Sequence, residues 1–254
     1  MAPIYLFTDF GPSGPYVGQI RAVLAARAPG AVVIDLVCDA PRHSPRAAAY
    51  LLARLAACLE RGGVFLCVVD PGVGSGRDAL VLEADGRWFV GPDNGLLDVT
   101  ALAAARCRGW RLRWRPARLS ATFHGRDLFA PVAGAIAADG FEPGEWEGDG
   151  RLEPFRPEPD VAADLFEIVY LDHFGNAMTG IRAGTLAPET TLACRELVFR
   201  FARTFADVAP GAGLWFDNSN GLVELALNQA SLAAAAGVAI GDRVGVEAPR
   251  GAGG

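Results

Sequence analysis

The residues best suited to chemistry lie in the stretch Val68–Arg77, which has the sequence VVDPGVGSGR. The apolar, β-branched run that leads into it, Val64–Val69, predicts a buried strand. Pro71 then stops strand pairing, and the glycines beyond it let the backbone turn tightly and approach a ligand. We therefore expect Asp70 at the carboxyl end of a strand, the edge where open α/β sheets bind ligands, with Arg77 across a glycine loop. The alternative is an Asp that caps a turn beside a solvated Arg.

Similar polar side chains recur where other predicted strands end. They are Asp9, Asp39, Asp70, Asp93, Asn94, His124, Asp127, Asp172 and Asn176. Carboxylates, amides and an imidazole gathered at sheet edges suit either a divalent metal ion or a polar small molecule bound without metal. The residues alone leave both possibilities open.

Several classes of chemistry are excluded by what the chain lacks. All 23 basic residues are arginine, which excludes a lysine Schiff base and a P-loop. No G-x-G-x-x-G follows the first strand and no G-x-S-x-G occurs, so a dinucleotide cofactor and a serine nucleophile have no support. The net charge of −6 argues against a nucleic-acid partner, and the basic cluster Arg106–Arg118 suits a strand with one solvated face.

Composition indicates a globular protein without membrane segments. Of the 254 residues, 51% are hydrophobic and 20% charged, enough for a sizeable core in one large or two smaller domains. No apolar run reaches the roughly 18 residues of a membrane span, and the N-terminus lacks a signal-peptide core. The five cysteines form no C-x-x-C pair and are predicted to be core residues in a reducing compartment. We therefore expect a cytoplasmic protein with no membrane partner.

The order of predicted elements indicates an α/β fold followed by a β domain. The predicted strands of the first part are Ile4–Thr8, Ala31–Val37, Val64–Val69, Ala79–Glu83, Arg87–Val90 and one around Trp110. Helices are expected over Tyr16–Ala28 and Ser44–Glu60, after Gly95 and from about Thr122. Alternating strands and helices predict a mostly parallel sheet in domain 1–150. Residues 140–160, rich in Pro, Gly and Glu, are predicted as a linker, and the short strands of domain 160–254 predict a small sandwich or barrel.

Seven motifs follow one another from Thr8 to about Val246. They are Thr8–Gly11, Val69–Ser75 with Arg77, Gly91–Leu97, Thr122–Asp127, Asp172–Asn176, Asn218–Gly221 and Asn228–Ser231. Together they resemble the S-adenosyl-L-methionine hydroxide adenosyltransferase family, the hydrolytic relatives of the fluorinase and chlorinase. The resemblance implies an N-terminal α/β domain and a C-terminal β-barrel-like domain, in homotrimers that hold the ligand between subunits.

The resemblance also implies a reaction and its catalytic residues. The reaction would be hydrolysis of S-adenosyl-L-methionine to adenosine and L-methionine, by in-line attack of an activated water or hydroxide on C5′, with no cofactor and no metal. The hydrolases carry an Asp–Arg–His set, which here falls on Asp70, Arg77 and His124. The halogenases have a tyrosine in place of this Asp and lack the histidine, so the chain resembles the hydrolases.

Substrate contacts follow from the same resemblance. Asp9 would hold the ribose hydroxyls. The adenine would be framed by Phe174, Asn176 and the backbone around Asn228, Gln229 and Ala230. The methionine ammonium and carboxylate would be taken by Asp172 and Ser219, with Phe205 packing nearby. The chain departs from the halogenase pattern at the pocket rim, at Gly14, Arg42, Met178, Asn220 and Leu227.

Two functions from other classes remain open. The first is a metal-dependent hydrolase, whose ligands would be Asp9, Asp70, Asp93 and His124. The second is a module that binds adenosine or S-adenosylmethionine without turnover.

Overall fold

The first 161 residues contain a seven-stranded sheet and five helices in the computed structural model, which describes residues 1–138 and 141–247. The strands are β1 (Ile4–Thr8), β2 (Val33–Val37), β3 (Val64–Val68), β4 (Ala79–Ala84), β5 (Arg87–Pro92), β6 (Cys107–Leu112) and β7 (Leu152–Phe155). The helices are α1 (Tyr16–Arg27), α2 (Pro45–Ala57), α3 (Asp98–Ala103), α4 (Ala130–Ala137) and α5 (Pro143–Gly148). A π-helical turn, Gly125–Phe129, leads directly into α4.

The first sheet is mixed, with the strand order β2-β1-β3-β5-β4-β6-β7. The strands β2, β1, β3 and β5 run parallel, whereas β4, β6 and β7 join through antiparallel pairs. The predicted α/β fold is confirmed, and four of the seven strands of this sheet form its parallel part. The other three join antiparallel because a two-residue hairpin at Asp85 and Gly86, both at positive φ, connects β4 to β5, and the strands beyond β5 in the sheet order alternate in direction.

Helices α1 and α4 pack on one face of this sheet. Ile20 and Leu24 of α1 stand four residues apart and therefore share one helix face. They are fully buried in a core with Leu6 of β1, Leu66 of β3 and Val132 of α4. This packing fixes the strands whose carboxyl ends carry the candidate site.

The middle of the predicted linker is ordered, which corrects that prediction. Residues 143–148 form α5, and β7 pairs antiparallel with β6. Leu152 is buried, and the Trp110 indole nitrogen donates a hydrogen bond of 2.6 Å to Glu147. Composition could not reveal these contacts, although Pro143 in the first turn is a helix-start signal. Gly140, where the predicted linker begins, and residues 248–254 of the second predicted domain lie outside the described residues.

The second sheet also has seven strands and closes into a barrel-like form, as the resemblance implies. Its strands are β8 (Leu165–Leu171), β9 (Ala177–Arg182), β10 (Thr191–Cys194), β11 (Leu197–Phe201), β12 (Gly213–Asp217), β13 (Leu222–Leu227) and β14 (Val244–Glu247). Their order is β14-β10-β11-β12-β13-β9-β8. The outer edges meet, because the Ile168 N–H donates to the Asp242 carbonyl at 2.8 Å and the Gly241 N–H donates to the Ile168 carbonyl at 2.8 Å. A short helix, α6 (Leu232–Ala236), follows β13.

The chain divides into two compact units. The first comprises residues 1–53 and 59–161, and the second comprises residues 54–58 and those from 162 onward. Within residues 1–138 and 141–247, no helix combines the length and the apolar character needed to cross a membrane.

Candidate active site

Asn94 holds the end of β3 in place for Asp70. Its side-chain amide donates a hydrogen bond of 2.9 Å to the Val69 carbonyl, and its Oδ1 accepts from the Leu96 N–H at 3.3 Å. A backbone carbonyl past the last strand pair needs such a partner when it is buried. The sequence pattern placed Asn94 at a strand end, and the structure gives it this supporting role.

The glycine loop after Asp70 lies directly against the segment that carries His124. Gly74 has a φ of +82°, and a Cβ at this position would stand 2.5 Å from the Ala121 carbonyl oxygen. Only glycine allows both the left-handed conformation and this close approach. The loop can therefore deliver Arg77 to the same place as His124, 47 residues further along the chain.

Asp70, Arg77 and His124 are brought together. Arg77 donates from Nε to Asp70 Oδ1 at 2.7 Å and from a terminal nitrogen to Asp70 Oδ2, which forms a two-point ion pair. The two side chains are only 10% and 4% exposed, so solvent screens the pair weakly. The second terminal nitrogen donates to the Asp78 carbonyl at 3.0 Å and fixes the guanidinium plane. The nitrogen that binds Asp70 Oδ2 also stands 3.4 Å from His124 Nδ1.

The contact with Arg77 determines which form of His124 is favoured. A guanidinium can only donate hydrogen bonds, so Nδ1 accepts and the neutral ring carries its proton on Nε2. Partial burial lowers the pKa of His124, and the positive charge of Arg77 lowers it further, while Asp70 acts in the opposite direction. His124 is therefore neutral at pH 7 and presents an N–H group.

The π-helical turn that follows His124 anchors its loop. Asp127 accepts from the Ser120 N–H at 2.9 Å and pairs with Arg126, whose terminal nitrogen reaches Gln19 at 2.8 Å. A π-helical turn at the start of a helix often marks a functional position. A cavity of about 390 Å³ opens beside it, with Ser75, Arg77, Arg115 and His124 in its lining, so a water molecule has access to these groups.

Asp9 lies near the same set, at the end of β1. One of its carboxylate oxygens accepts the His43 N–H at 3.3 Å. Burial raises the pKa of Asp9, and the nearby charge of Asp70 contributes in the same direction. The structure therefore gathers Asp9, Asp70, Arg77 and His124 in the first unit. Gly14 and Arg42, two of the departures from the halogenase pattern, are both exposed.

A second cavity, of about 540 Å³, lies in the second unit. This volume is typical of pockets for small organic ligands. Its lining comprises Phe174, Asn176, Phe205, Leu227, Asn228, Gln229, Ala230 and Ser231. Every residue that the resemblance assigns to the adenine is therefore on one cavity wall, and Phe205 joins them. Phe174 is 74% exposed, so its ring can offer a flat surface to a ligand.

Asp172 and Asn176 form a turn at the edge of this cavity. The Asn176 N–H donates to Asp172 Oδ1 at 2.8 Å, and its side-chain amide donates to Asp172 Oδ2 at 3.0 Å. Asp172 itself is half-buried and does not line the cavity. Ser219 is exposed on the turn between β12 and β13 and also lies outside the lining.

Sequence reasoning missed Glu224, the single buried acid of β13. Its side chain accepts a hydrogen bond of 2.7 Å from the Asn218 amide. Burial raises the pKa of Glu224 and Asp172 raises it further, whereas the amides of Asn218 and Asn176 lower it. The sequence LVELAL of β13 contained a signal. Alternation places Glu224 on the same strand face as Leu222 and Ala226, where an acid is unexpected.

The proposed set of metal ligands does not assemble around one point. Across the part of the chain that the structure describes, no group of three or more His, Cys, Asp or Glu side chains could hold a metal ion. At Asp70, both carboxylate oxygens instead bind Arg77, a cation that occupies the place a metal would need.

Comparison with known proteins decides the family. The model of the SAM hydroxide adenosyltransferase N-terminal domain matches residues 4–145, and that of the C-terminal domain matches residues 166–245. The chain belongs to the SAM hydroxide adenosyltransferase family. Two proteins named (R)-S-adenosyl-L-methionine hydrolase are similar over nearly their full length. The one from Thermus thermophilus is 38% identical, over 94% of this chain and 96% of its own, and the one from Salinispora arenicola is 40% identical, over 95% and 96%.

Solved structures share the family's fold. A conserved protein from Thermotoga maritima superposes with a TM-score of 0.83 at 29% identity, covering 96% of this chain and 99% of its own. A conserved hypothetical protein from Thermus thermophilus superposes with a TM-score of 0.76 at 33% identity, covering 97% of this chain and 100% of its own.

Proposed function

We propose that this protein hydrolyses S-adenosyl-L-methionine to adenosine and L-methionine. The observation that carries the proposal is the Asp70–Arg77–His124 cluster, in a chain of the SAM hydroxide adenosyltransferase family. Relatives of nearly equal length are named (R)-S-adenosyl-L-methionine hydrolase. A protein that only bound the ligand would have no need of a cluster suited to activating water.

The difficult part of the reaction is the activation of the water nucleophile. A water oxygen forms a bond to C5′ while the C5′–S bond breaks and its electron pair neutralises the sulfonium, so L-methionine leaves as a neutral thioether without an acid. Water has a pKa of about 15.7 and must lose a proton as it attacks. A positioned base typically contributes roughly 10²–10⁴-fold to such a step.

We assign the proton to Asp70 and the orientation of the water to His124. The lone pair of the neutral His124 ring lies on Nδ1 and faces an Arg77 N–H, so it is not free to take a proton from water. Asp70 keeps lone pairs that Arg77 does not use. The neutral His124 then donates from Nε2 to the water oxygen, and alignment with the C5′–S bond supplies several kcal/mol of the rate enhancement.

The contacts with each part of the substrate are assigned to the two groups of residues described above. Asp9 binds the ribose hydroxyls beside the catalytic set. The adenine occupies the 540 Å³ cavity against Phe174, Asn176 and the Asn228–Ala230 backbone, with Phe205 on its wall. Asp172 and Ser219 bind the methionine ammonium and carboxylate. No metal takes part in this scheme, because Arg77 supplies the positive charge that favours a hydroxide-like nucleophile.

We further propose that the active form is a homotrimer with three shared sites. Each site would take its catalytic groups from one chain and its adenine and methionine contacts from the next. Support comes from the resemblance and from the fact that each cluster is complete within its own unit. The free cysteines support a reducing compartment such as the cytoplasm as the place of action.

One chromatographic assay tests the activity. Purified protein incubated with S-adenosylmethionine should release adenosine and methionine in equal amounts, and excess chelator should not change the rate. The Asp70→Ala variant should lose turnover by at least about 10²-fold with little loss of ligand affinity. Ligand binding without product would indicate a binding module, and loss of activity with chelator that metal restores would indicate the metal-dependent hydrolase.

A further inference from the structure

A further cavity in the first unit is lined by residues that have no part in the proposed reaction. Its volume is about 290 Å³, near the lower end of the range for pockets that hold small organic ligands. Three of its lining residues, Pro131, Val132 and Ala135, belong to α4 and supply an apolar surface. The other lining residues are two tryptophans and two arginines. A mostly apolar cavity with a few polar groups is the usual form of a small-molecule site.

The two tryptophans come from separate parts of the chain and are held by the fold. Trp114 follows β6, and its backbone N–H donates to the Arg151 carbonyl at 3.0 Å. Trp146 lies on α5 and packs edge-on against Phe141, with ring centroids 5.4 Å apart. Both indoles are half-buried and pack against the core of the first unit. Flat rings are therefore in place before a ligand arrives, which suits stacking with a planar molecule.

Arg27 brings an unpaired positive charge to the lining. It is the last residue of α1, and it packs so closely on α4 that a Cβ at Gly134 would stand 2.7 Å from its own Cβ. A glycine inside a helix costs roughly 0.5–1 kcal/mol relative to alanine, and here it is what allows Arg27 to lie against α4. No described carboxylate forms an ion pair with Arg27. Its guanidinium is therefore available to a ligand.

The charge of Arg151 is already balanced, so its role in the lining differs from that of Arg27. Its Nε donates to an Asp149 carboxylate oxygen at 2.6 Å, and its Cζ lies over the Trp146 ring, 4.1 Å from the centroid. Among the described lining residues, the polar side-chain groups are guanidinium and indole N–H groups, which only donate hydrogen bonds. A lining with donor side chains and no acceptor side chain suits a ligand that carries acceptors and negative charge.

We propose that this cavity binds a small planar aromatic carboxylate. The carboxylate accepts hydrogen bonds from Arg27, in the two-point geometry that a guanidinium favours. The ring stacks on Trp114, which contacts no other described ring or guanidinium, whereas Arg151 covers one face of Trp146. The site goes beyond the proposed hydrolysis, because neither the Asp70 cluster nor the 540 Å³ cavity contributes a residue to it.

The test is calorimetric binding of three probes of matched size, which are phenylacetate, phenylacetamide and cyclohexylacetate. Wild type should bind phenylacetate at least about ten-fold more tightly than phenylacetamide, because the neutral amide loses hydrogen bonds between charged groups. It should bind cyclohexylacetate at least about three-fold more weakly than phenylacetate, because a saturated ring cannot stack on an indole. The first comparison measures the need for charge, and the second measures the need for a planar ring.

Three variants locate the bound probe. Arg27→Ala should weaken phenylacetate binding at least about ten-fold and leave phenylacetamide binding unchanged, so that the two probes bind alike. Trp114→Leu should remove the preference for phenylacetate over cyclohexylacetate. Arg21→Ala is the matched control, because Arg21 is an exposed arginine of the same helix that pairs with Asp35 and lies outside the lining. This variant should bind phenylacetate as the wild type does.

Four results would overturn the proposal. Two concern the wild type, which would bind no phenylacetate at millimolar concentration or would bind phenylacetamide equally well. These comparisons decide the matter even if a variant fails to fold. The third is a folded Arg27→Ala protein with wild-type affinity for phenylacetate. The fourth is an equal loss of affinity in Arg21→Ala, which would indicate attraction to the general surface charge. Turnover of S-adenosylmethionine is a separate measurement, so its absence would contradict the proposed function and not this site.

Discussion

The chemistry of the first cluster depends on where one positive charge lies. Arg77 binds both oxygens of Asp70 and also contacts His124, so one guanidinium influences both candidates for accepting the proton. Arg77 occupies the one lone pair of the neutral His124 ring, whereas Asp70 keeps carboxylate lone pairs that Arg77 does not use. This asymmetry separates the roles of two residues that the sequence left equivalent.

His124 should govern the acid limb of the pH–rate profile. Four charged groups face it, and burial together with Arg77 and Arg115 outweighs Asp70 and Asp127, so its pKa lies below the ordinary value of about 6.5. Because the proposed mechanism uses the neutral ring, the acid limb of kcat/KM should have its midpoint below pH 6.5. In His124→Asn, that limb should disappear and kcat should drop only about ten-fold. A loss of 10³-fold or more would show that His124 takes the proton.

At the scale of elements, the glycine loop sets the distance between the strand end and the His124 segment. Gly74→Ala adds a Cβ 2.5 Å from the Ala121 carbonyl at a φ of +82°, so the loop must move away. We expect a loss of about 1–3 kcal/mol in the free energy of unfolding and a large fall in kcat. Gly76→Ala is the matched control, since nothing lies within 4 Å of its Cβ position. Urea unfolding and turnover should show a change in Gly74→Ala that is absent from Gly76→Ala, and equal effects would contradict the account.

Particular elements show how much of the fold could be predicted from the sequence. Strand Val64–Val68 and the loop to Arg77 follow from apolar β-branched residues, Pro71 and glycines, because local physics determines them. The surroundings of Glu224 do not follow, because they depend on β12 and β9 flanking β13, a long-range arrangement that strand periodicity does not encode. The same limit explains the mixed first sheet and the ordered segment 143–155. Local sequence patterns determine which helices and strands form. The neighbours of each strand depend on the strand order of the sheet, which these patterns do not determine.

At the scale of the whole molecule, the proposed trimer predicts complementation between defective chains. Asp70→Ala and Asn176→Ala proteins should each be nearly inactive, because one lacks the base and the other an adenine contact. When they are co-expressed, hybrid trimers contain some sites that draw a wild-type group from each chain, and these should recover a fraction of the activity. Hybrids that form but stay as inactive as their parents would place each site within one chain.

In the proposed mechanism, solvent water attacks C5′ of S-adenosylmethionine without a metal. The most direct measurement is turnover in ¹⁸O-labelled water with excess chelator, followed by mass spectrometry of both products. One ¹⁸O atom should appear in the 5′-hydroxyl of adenosine and none in methionine, at a rate equal to that without chelator. Adenosine with an unlabelled 5′-oxygen would contradict this mechanism.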